Sequence, residues 1–186
     1  MEIVVCLTGA SGAVYGVSLL KHLKGVDGVK IHLVVSETGK RIVKGELGME
    51  PEELLALASV SYGNDQMGAP VASGSVRFDA LVLIPASMST LSKISVGISD
   101  NLITRLGAVA LKERRRFIAV FREAPLSTIH LENLHRLSQA GVIVMPAAPG
   151  FYNGPKEIQD LADSICSHVL DLLGIENEIS PRYDGQ

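Results

Sequence analysis

The chain has 186 residues, 47% of them hydrophobic and 20% charged, which suits one soluble domain with a single substantial core. Its net charge of −3 argues against nonspecific nucleic-acid binding, which needs a basic face; the cluster Lys112-Glu-Arg-Arg-Arg116 is the one exception. No apolar run approaches the roughly 20 residues that span a bilayer, and no basic region precedes the first apolar stretch as in a signal peptide, so neither nucleic acid nor membrane is an expected partner.

In chain order, Ile3–Leu7 reads as a buried strand, followed by the glycine-rich turn TGASGAVYG (residues 8–16) and by Val14, Val17, Leu20 and Leu23 at helical spacing. Ile31–Val35 reads as a second strand. From Gly63 to Arg77 small and polar residues without periodicity predict a long loop inside the domain. Leu81–Ile84, Phe117–Phe121 and Val142–Met145 give three more strands, each followed by turn residues and a helical segment. Ile158, Leu161, Ala162, Ile165, Val169, Leu172 and Leu173 form the stripe of a final helix that Gly174 ends. Strands that are apolar throughout and alternate with helices predict a parallel sheet covered on both faces. The expected fold is therefore α/β, a three-layer Rossmann-like or flavodoxin-like doubly wound sheet, with residues 1–186 forming one domain.

In such sheets ligands bind beyond the carboxyl ends of the strands, here at Thr8–Ala13, Ser36–Thr38, Pro85–Thr90, Arg122–Ser127 and Pro146–Pro155. A glycine-rich turn before a helix predicts a phosphate on the helix N-terminus. The turn lacks the Lys-Ser/Thr pair of a nucleotide-hydrolysing loop, since Val and Tyr stand there. Gly9, Gly12 and Gly16 are also spaced G-x-x-G-x-x-x-G rather than G-x-G-x-x-G. The second strand ends in Ser36, with Glu37 one residue late for a ribose. At the third exit PASMSTLSKIS gathers Ser87, Ser89, Thr90, Ser92 and Ser95 around a helix start; capping explains only one of these hydroxyls. With Ser11 and Ser36, the exits offer hydroxyls and few charges, which suits one phosphate and a large polar aromatic ring. Arg122-Glu123 places a cation and a carboxylate at the same rim. Tyr152 tips the rigid apolar loop PAAPGFYNGP, which is suited to wall a hydrophobic pocket.

The remaining signals are structural. Lys112-Glu-Arg-Arg-Arg116 ends a helical pattern and complements its dipole. Cys6 and Cys166 read as buried thiols of a reducing compartment, hence the cytoplasm. His22, His32, His130, His135 and His168 lack ligand spacing, and no acidic cluster suits Mg²⁺, so no metal is expected.

Taken together, TGASGAVYGVSLL, the ASGS of residues 72–75, PASMSTLSKISVGISDNLI, ALKERR, REAPLSTIHLENLHRLSQAG and PAAPGFYNGP resemble the UbiX-like flavin prenyltransferases, relatives of the flavin-dependent cysteine decarboxylases, over nearly the whole chain. The resemblance implies joining of a dimethylallyl group from dimethylallyl phosphate to N5 and C6 of reduced FMN, giving a prenylated flavin for a partner UbiD-type decarboxylase. It implies an FMN site at Gly9, Ala10, Ser11, Ser36, Ser87, Met88, Ser89, Thr90 and Arg122. Lys112, Glu123 and Tyr152 would meet the prenyl phosphate, Glu46 would lie near the reacting centre, and Ser11, Glu46, Lys112 and Glu123 would be the catalytic set. A homo-dodecamer with sites at subunit contacts follows, some residues serving a neighbour's flavin. Two positions depart from the family pattern. His168 stands where Arg or Lys usually binds the prenyl phosphate, and is expected to take over that contact; Gln66 replaces a frequent aromatic residue. The alternatives are a flavin-dependent cysteine decarboxylase, whose P-x-M-N type motif is replaced here by PAAPGFYN, and a non-catalytic FMN carrier.

Overall fold

Six strands, β1 (Glu2–Leu7), β2 (Lys30–Val35), β3 (Val60–Gly63), β4 (Ala80–Ala86), β5 (Arg116–Phe121) and β6 (Ile143–Pro146), pair in parallel in the order β3-β2-β1-β4-β5-β6 in a computed structural model that describes residues 1–183 and 185. This is the doubly wound order, and its direction reverses between β1 and β4, where a crevice opens at the carboxyl edge. The sequence predicts five strands. The sixth, β3, is a four-residue edge strand, VSYG, that pairs only with β2 and stays partly exposed, so neither alternation nor a continuous apolar run marks it.

Both sheet faces are covered, as continuous apolar strands require. Ile3, Val5 and Leu7 of β1 join a core with α1 (Ala13–Lys24) and α7 (Ile158–Leu173), together with Val43 of α2 (Glu37–Leu47) and Leu54 of α3 (Pro51–Leu55). Val4 and Cys6 of the same strand join the opposite core, with α4 (Met88–Ser95), α5 (Leu102–Lys112) and α6 (Thr128–Gln139). The period-two alternation of a strand thus feeds two cores at once. In α7 the predicted stripe packs into the core from Ala162 to Leu173, whereas Ile158 in the first turn is 73% exposed and Leu161 only half-buried. Among the described residues no helix is long and apolar enough to cross a membrane.

Local chemistry sets the helix starts that face the carboxyl rim. Ser36 caps α2 by accepting the Gly39 N–H at 3.0 Å, Ser87 caps α4 at Thr90, and Ser127 caps α6 at His130. The start of α1 differs: Gly12 takes a left-handed φ of 104°, and its own residue type offers no capping side chain. Gly16 lets α1 lie close to β4, since a Cβ there would sit 2.4 Å from the Ile84 carbonyl.

Candidate functional site

The exits of β1 and β4 are welded together by a buried threonine. The Thr8 hydroxyl donates to the Pro85 carbonyl at 2.8 Å and accepts the Ser87 N–H at 2.6 Å, while the Thr8 N–H donates to the same carbonyl at 3.1 Å. Thr8 is 2% exposed, so these bonds form away from water and fix the glycine turn against the serine-rich start of α4. Gly9 packs close to Thr38, a Cβ there falling 2.8 Å from its Cγ2, which brings the second exit to the same place. Gly9, Ser11, Thr38 and Ser89 are exposed, and Ser36, Ser87 and Thr90 are half-buried at this rim. The side chain of Met88, by contrast, packs into the core at 3% exposure, so its backbone N–H is what it offers a ligand.

The N-terminus of α1 already carries an anion. The Glu46 carboxylate, reaching over from the last turn of α2, accepts the N–H groups of Gly12 at 3.0 Å and Ala13 at 2.8 Å. Partial burial pushes this carboxyl up, but the Ser11 hydroxyl, the Ala13 and Gly12 N–H groups and the Arg122 charge outweigh it and hold the group below the usual carboxylate range. This corrects one expectation from the sequence: the glycine turn does not keep its helix end for a ligand phosphate, because an internal carboxylate fills it. Of the hydroxyl-capped helix starts at the rim, those of α2 and α4 lie against the glycine turn, through Thr38 and Ser87, and offer a place for a phosphate.

Arg122 and Glu123 follow β5 and are exposed at the same rim. The Arg122 Nε–H donates to the Ser11 carbonyl at 3.1 Å, closing the rim from β1 across to β5. Glu123 accepts the Ala124 N–H at 3.2 Å through one oxygen. Hydroxyls at two helix starts, one guanidinium, and two carboxylates form a donor set that fits FMN: neutral and cationic groups for a phosphate and ring carbonyls, carboxylates for proton movement. Tyr15, half-buried on α1 beside Arg122, belongs to this neighbourhood too; burial pushes its phenol up, against the pull of that charge.

Three expected site residues lie elsewhere in the chain. Lys112 ends α5 at the amino edge of the sheet, paired with Glu113 beside Gly74. Two further members of its basic cluster are structural: Arg115 stacks 4.1 Å over the Phe78 ring and donates to the Gly74 carbonyl, and Arg116 donates to that of Leu173. A groove of about 810 Å³ lined by Arg114, Arg115, Arg116 and Asp79 lies at this edge, away from the rim hydroxyls. Tyr152, 62% exposed, meets the Tyr183 ring of the C-terminal segment edge-on at 5.6 Å, and His168 is exposed on α7, one turn before the Asp171 that Arg182 of that segment grips. The exit loop at Tyr152 therefore presents its aromatic tip outward rather than walling the rim of its own chain.

Sequence reasoning assigned no role to the Thr8 hydroxyl or to Tyr15 within the turn it singled out, and missed the C-terminal contacts of Tyr152. A threonine closing a buried strand carries no signal of a bond to a residue 77 positions on. Gln66 turns out to serve its own loop, accepting the Gly63 N–H at 2.9 Å. Among the described residues no group of three or more His, Cys, Asp or Glu side chains is placed to hold a metal.

The Flavoprotein family model matches residues 1–170. The chain is 48% identical over 183 residues to the flavin prenyltransferase UbiX of Methanocaldococcus jannaschii, covering 98% of each chain. It is similar, with a TM-score of 0.97 and 40% identity over 100% of this chain and 98% of the other, to a UbiX protein crystallised with FMN and dimethylallyl pyrophosphate. A dodecameric FMN-dependent UbiX-like decarboxylase from Escherichia coli O157:H7 superposes with a TM-score of 0.98 at 40% identity over all of both chains.

Proposed function

Because this chain belongs to the flavoprotein family as a UbiX-type flavin prenyltransferase, we propose that it transfers a dimethylallyl group from dimethylallyl phosphate to N5 and C6 of reduced FMN. The observation that carries this reading is the Arg122–Ser11 bond at 3.1 Å, which brings the Arg122-Glu123 pair to the hydroxyl-lined crevice between β1 and β4. Ser36, Ser87, Ser89 and Thr90 hold the flavin phosphate at the starts of α2 and α4, Gly9, Ala10 and Ser11 lie along the ring, and Arg122 faces its carbonyl edge. When bound, the reduced flavin supplies the electron-rich nitrogen that takes the allylic carbon.

The protein's own groups do the rest. Glu46, fixed on the Gly12 and Ala13 N–H groups, holds the Ser11 hydroxyl toward the ring. Glu123, which uses one oxygen for the Ala124 N–H, accepts the proton released as the second bond closes. Lys112, Tyr152 and His168 bind the leaving phosphate. Since Lys112 stands at the amino edge and Tyr152 and His168 on the outer face of α7, these contacts come from neighbouring copies. We assign the chain to a homo-dodecamer, the assembly stated for the relative from Escherichia coli O157:H7. The product passes to a UbiD-type decarboxylase. Two buried thiols, Cys6 and Cys166, support a cytoplasmic setting, burial pushing that of Cys166 up to about 12.

Mass spectrometry of the flavin extracted after anaerobic incubation with reduced FMN and dimethylallyl phosphate, and in parallel the diphosphate, tests the reading. A gain of one five-carbon unit is expected. Unmodified FMN with both donors overturns it and leaves the carrier alternative; loss of carbon dioxide from a cysteine-terminated peptide would establish the decarboxylase instead.

A further inference from the structure

Beyond the end of α7 the chain doubles back along the helix that carries His168. Gly174 turns it at φ 79°, and the Ile175 N–H returns to the Leu170 carbonyl at 2.9 Å. Asn177 then bridges two positions of the helix: it accepts the Ser167 hydroxyl at 2.8 Å and donates to Asp171 Oδ1 at 3.0 Å. Ile179 packs onto the core, and the Pro181 carbonyl accepts Asn153 Nδ2–H at 2.7 Å, so the segment is pinned at one end to α7 and at the other to the loop of Tyr152.

These anchors deliver Arg182. Its guanidinium grips the Asp171 carboxylate through both terminal nitrogens, Nη2 lying 2.8 Å from Oδ1, and Nη2 also donates to the Asn177 carbonyl at 3.1 Å. Asp171 is one helical turn from His168 on the outer face of α7, and Tyr183, the next residue after Arg182, meets the Tyr152 ring. An end-on grip of this kind leaves the Nε–H at the side of the guanidinium, directed away from the carboxylate. The C-terminal segment thus runs from the α7 turn after His168, where Arg182 sits on Asp171, to the Tyr152 ring, which Tyr183 meets.

We infer that Arg182 is a donor to the leaving phosphate of the allylic substrate, completing with Tyr152 and His168 the grip that one protomer lends to a neighbour's flavin site. This rests on the prenyl-transfer reading above. An imidazole is cationic only when protonated, whereas a guanidinium is permanently so, and the phosphate's charge calls for a permanent partner. Asp171 and Asn177 orient Arg182 and fix its position before the donor arrives. The charges sense one another: Asp171 is held below the usual carboxylate range chiefly by Arg182, with His168 adding to it, and Arg182 is raised in turn by Asp171 and by Tyr152.

The test measures donor binding without turnover. Isopentyl monophosphate, the saturated analogue, is titrated calorimetrically into the assembled, FMN-loaded protein. Arg182→Gln is expected to weaken it about tenfold while the FMN Kd and the assembly size stay unchanged, and adding His168→Arg to that variant is expected to recover most of the loss. Unchanged analogue affinity in Arg182→Gln overturns the inference, as does a parallel loss of FMN affinity, which would make the segment a mere support. If Arg182→Gln does not assemble, Arg182→Lys decides: a smaller loss of analogue affinity supports the role, and none overturns it. Failure of the wild type to prenylate FMN while this pattern holds would sink the prenyl-transfer reading alone.

Discussion

Glu46 accepts the backbone N–H of Ala13 at 2.8 Å, across 33 residues, and so acts as the cap that the sequence of α1 lacks. The bond joins the end of α2 to the glycine turn and places a negative charge at the positive end of a helix dipole.

Glu46→Gln keeps one acceptor and removes that charge. The folded-state pKa of Glu46 is depressed, so its stabilisation is fully present above the unfolded carboxylate pKa and is lost as pH falls through the lower, folded value. Near neutral pH the variant is expected to lose about 1 kcal/mol, the value of a good helix cap rather than the upper range, because the carboxylate is partly solvated. Urea midpoints of the two proteins should converge in acid; a constant gap across pH would refute the assignment of charge.

Thr8→Val keeps the shape of the side chain and removes the hydroxyl that ties β1 to β4. The Ser87 N–H would lose its 2.6 Å acceptor in a buried place, a cost of about 1–3 kcal/mol. Denaturant unfolding measures it, and FMN affinity should fall as well, since the serine-rich start of α4 is released from the glycine turn.

Arg122→Gln should weaken FMN about tenfold by fluorescence titration, because a charge-assisted contact at the ring edge and the bond to the Ser11 carbonyl go together. Arg122→Lys should not restore it, since a lysine cannot present two donors in a fixed plane. Full recovery in the lysine variant would mean that only net charge matters.

Glu123→Gln is expected to leave FMN binding unchanged and to slow formation of the prenylated flavin by about 10²–10⁴-fold, the usual contribution of a positioned base. Because Glu123 is exposed and bonds only its neighbour's N–H among the described residues, the substitution should not move the unfolding midpoint. A quench-flow time course followed by mass analysis separates the two steps.

Gly16→Ala brings a Cβ to 2.4 Å from the Ile84 carbonyl, a backbone atom that cannot swing aside. The helix must lift off β4, at about 1–3 kcal/mol. Thermal unfolding should show the loss, and the crevice above should bind FMN more weakly.

Five of the six strands, the final helix and the winding of the fold are legible in the sequence because buried parallel strands are apolar on both faces and helices repeat their stripe. The edge strand β3 is not, having one neighbour and partial exposure. The rim hydroxyls Ser36 and Ser87 are legible too, since a helix start and a strand end are both local events. What the sequence alone could not decide is which groups share one place. Glu46 occupies the helix end where the glycine turn predicts a phosphate, and Thr8 finds its partners 77 and 79 residues away. Lys112, Tyr152 and His168 stand away from the rim that their motifs accompany, Lys112 at the amino edge with Glu113, while Arg182 comes back along α7 to the turn after His168. Such placements depend on chain reversals and sheet order, contacts between residues far apart in sequence, and only the packed tertiary structure brings those together.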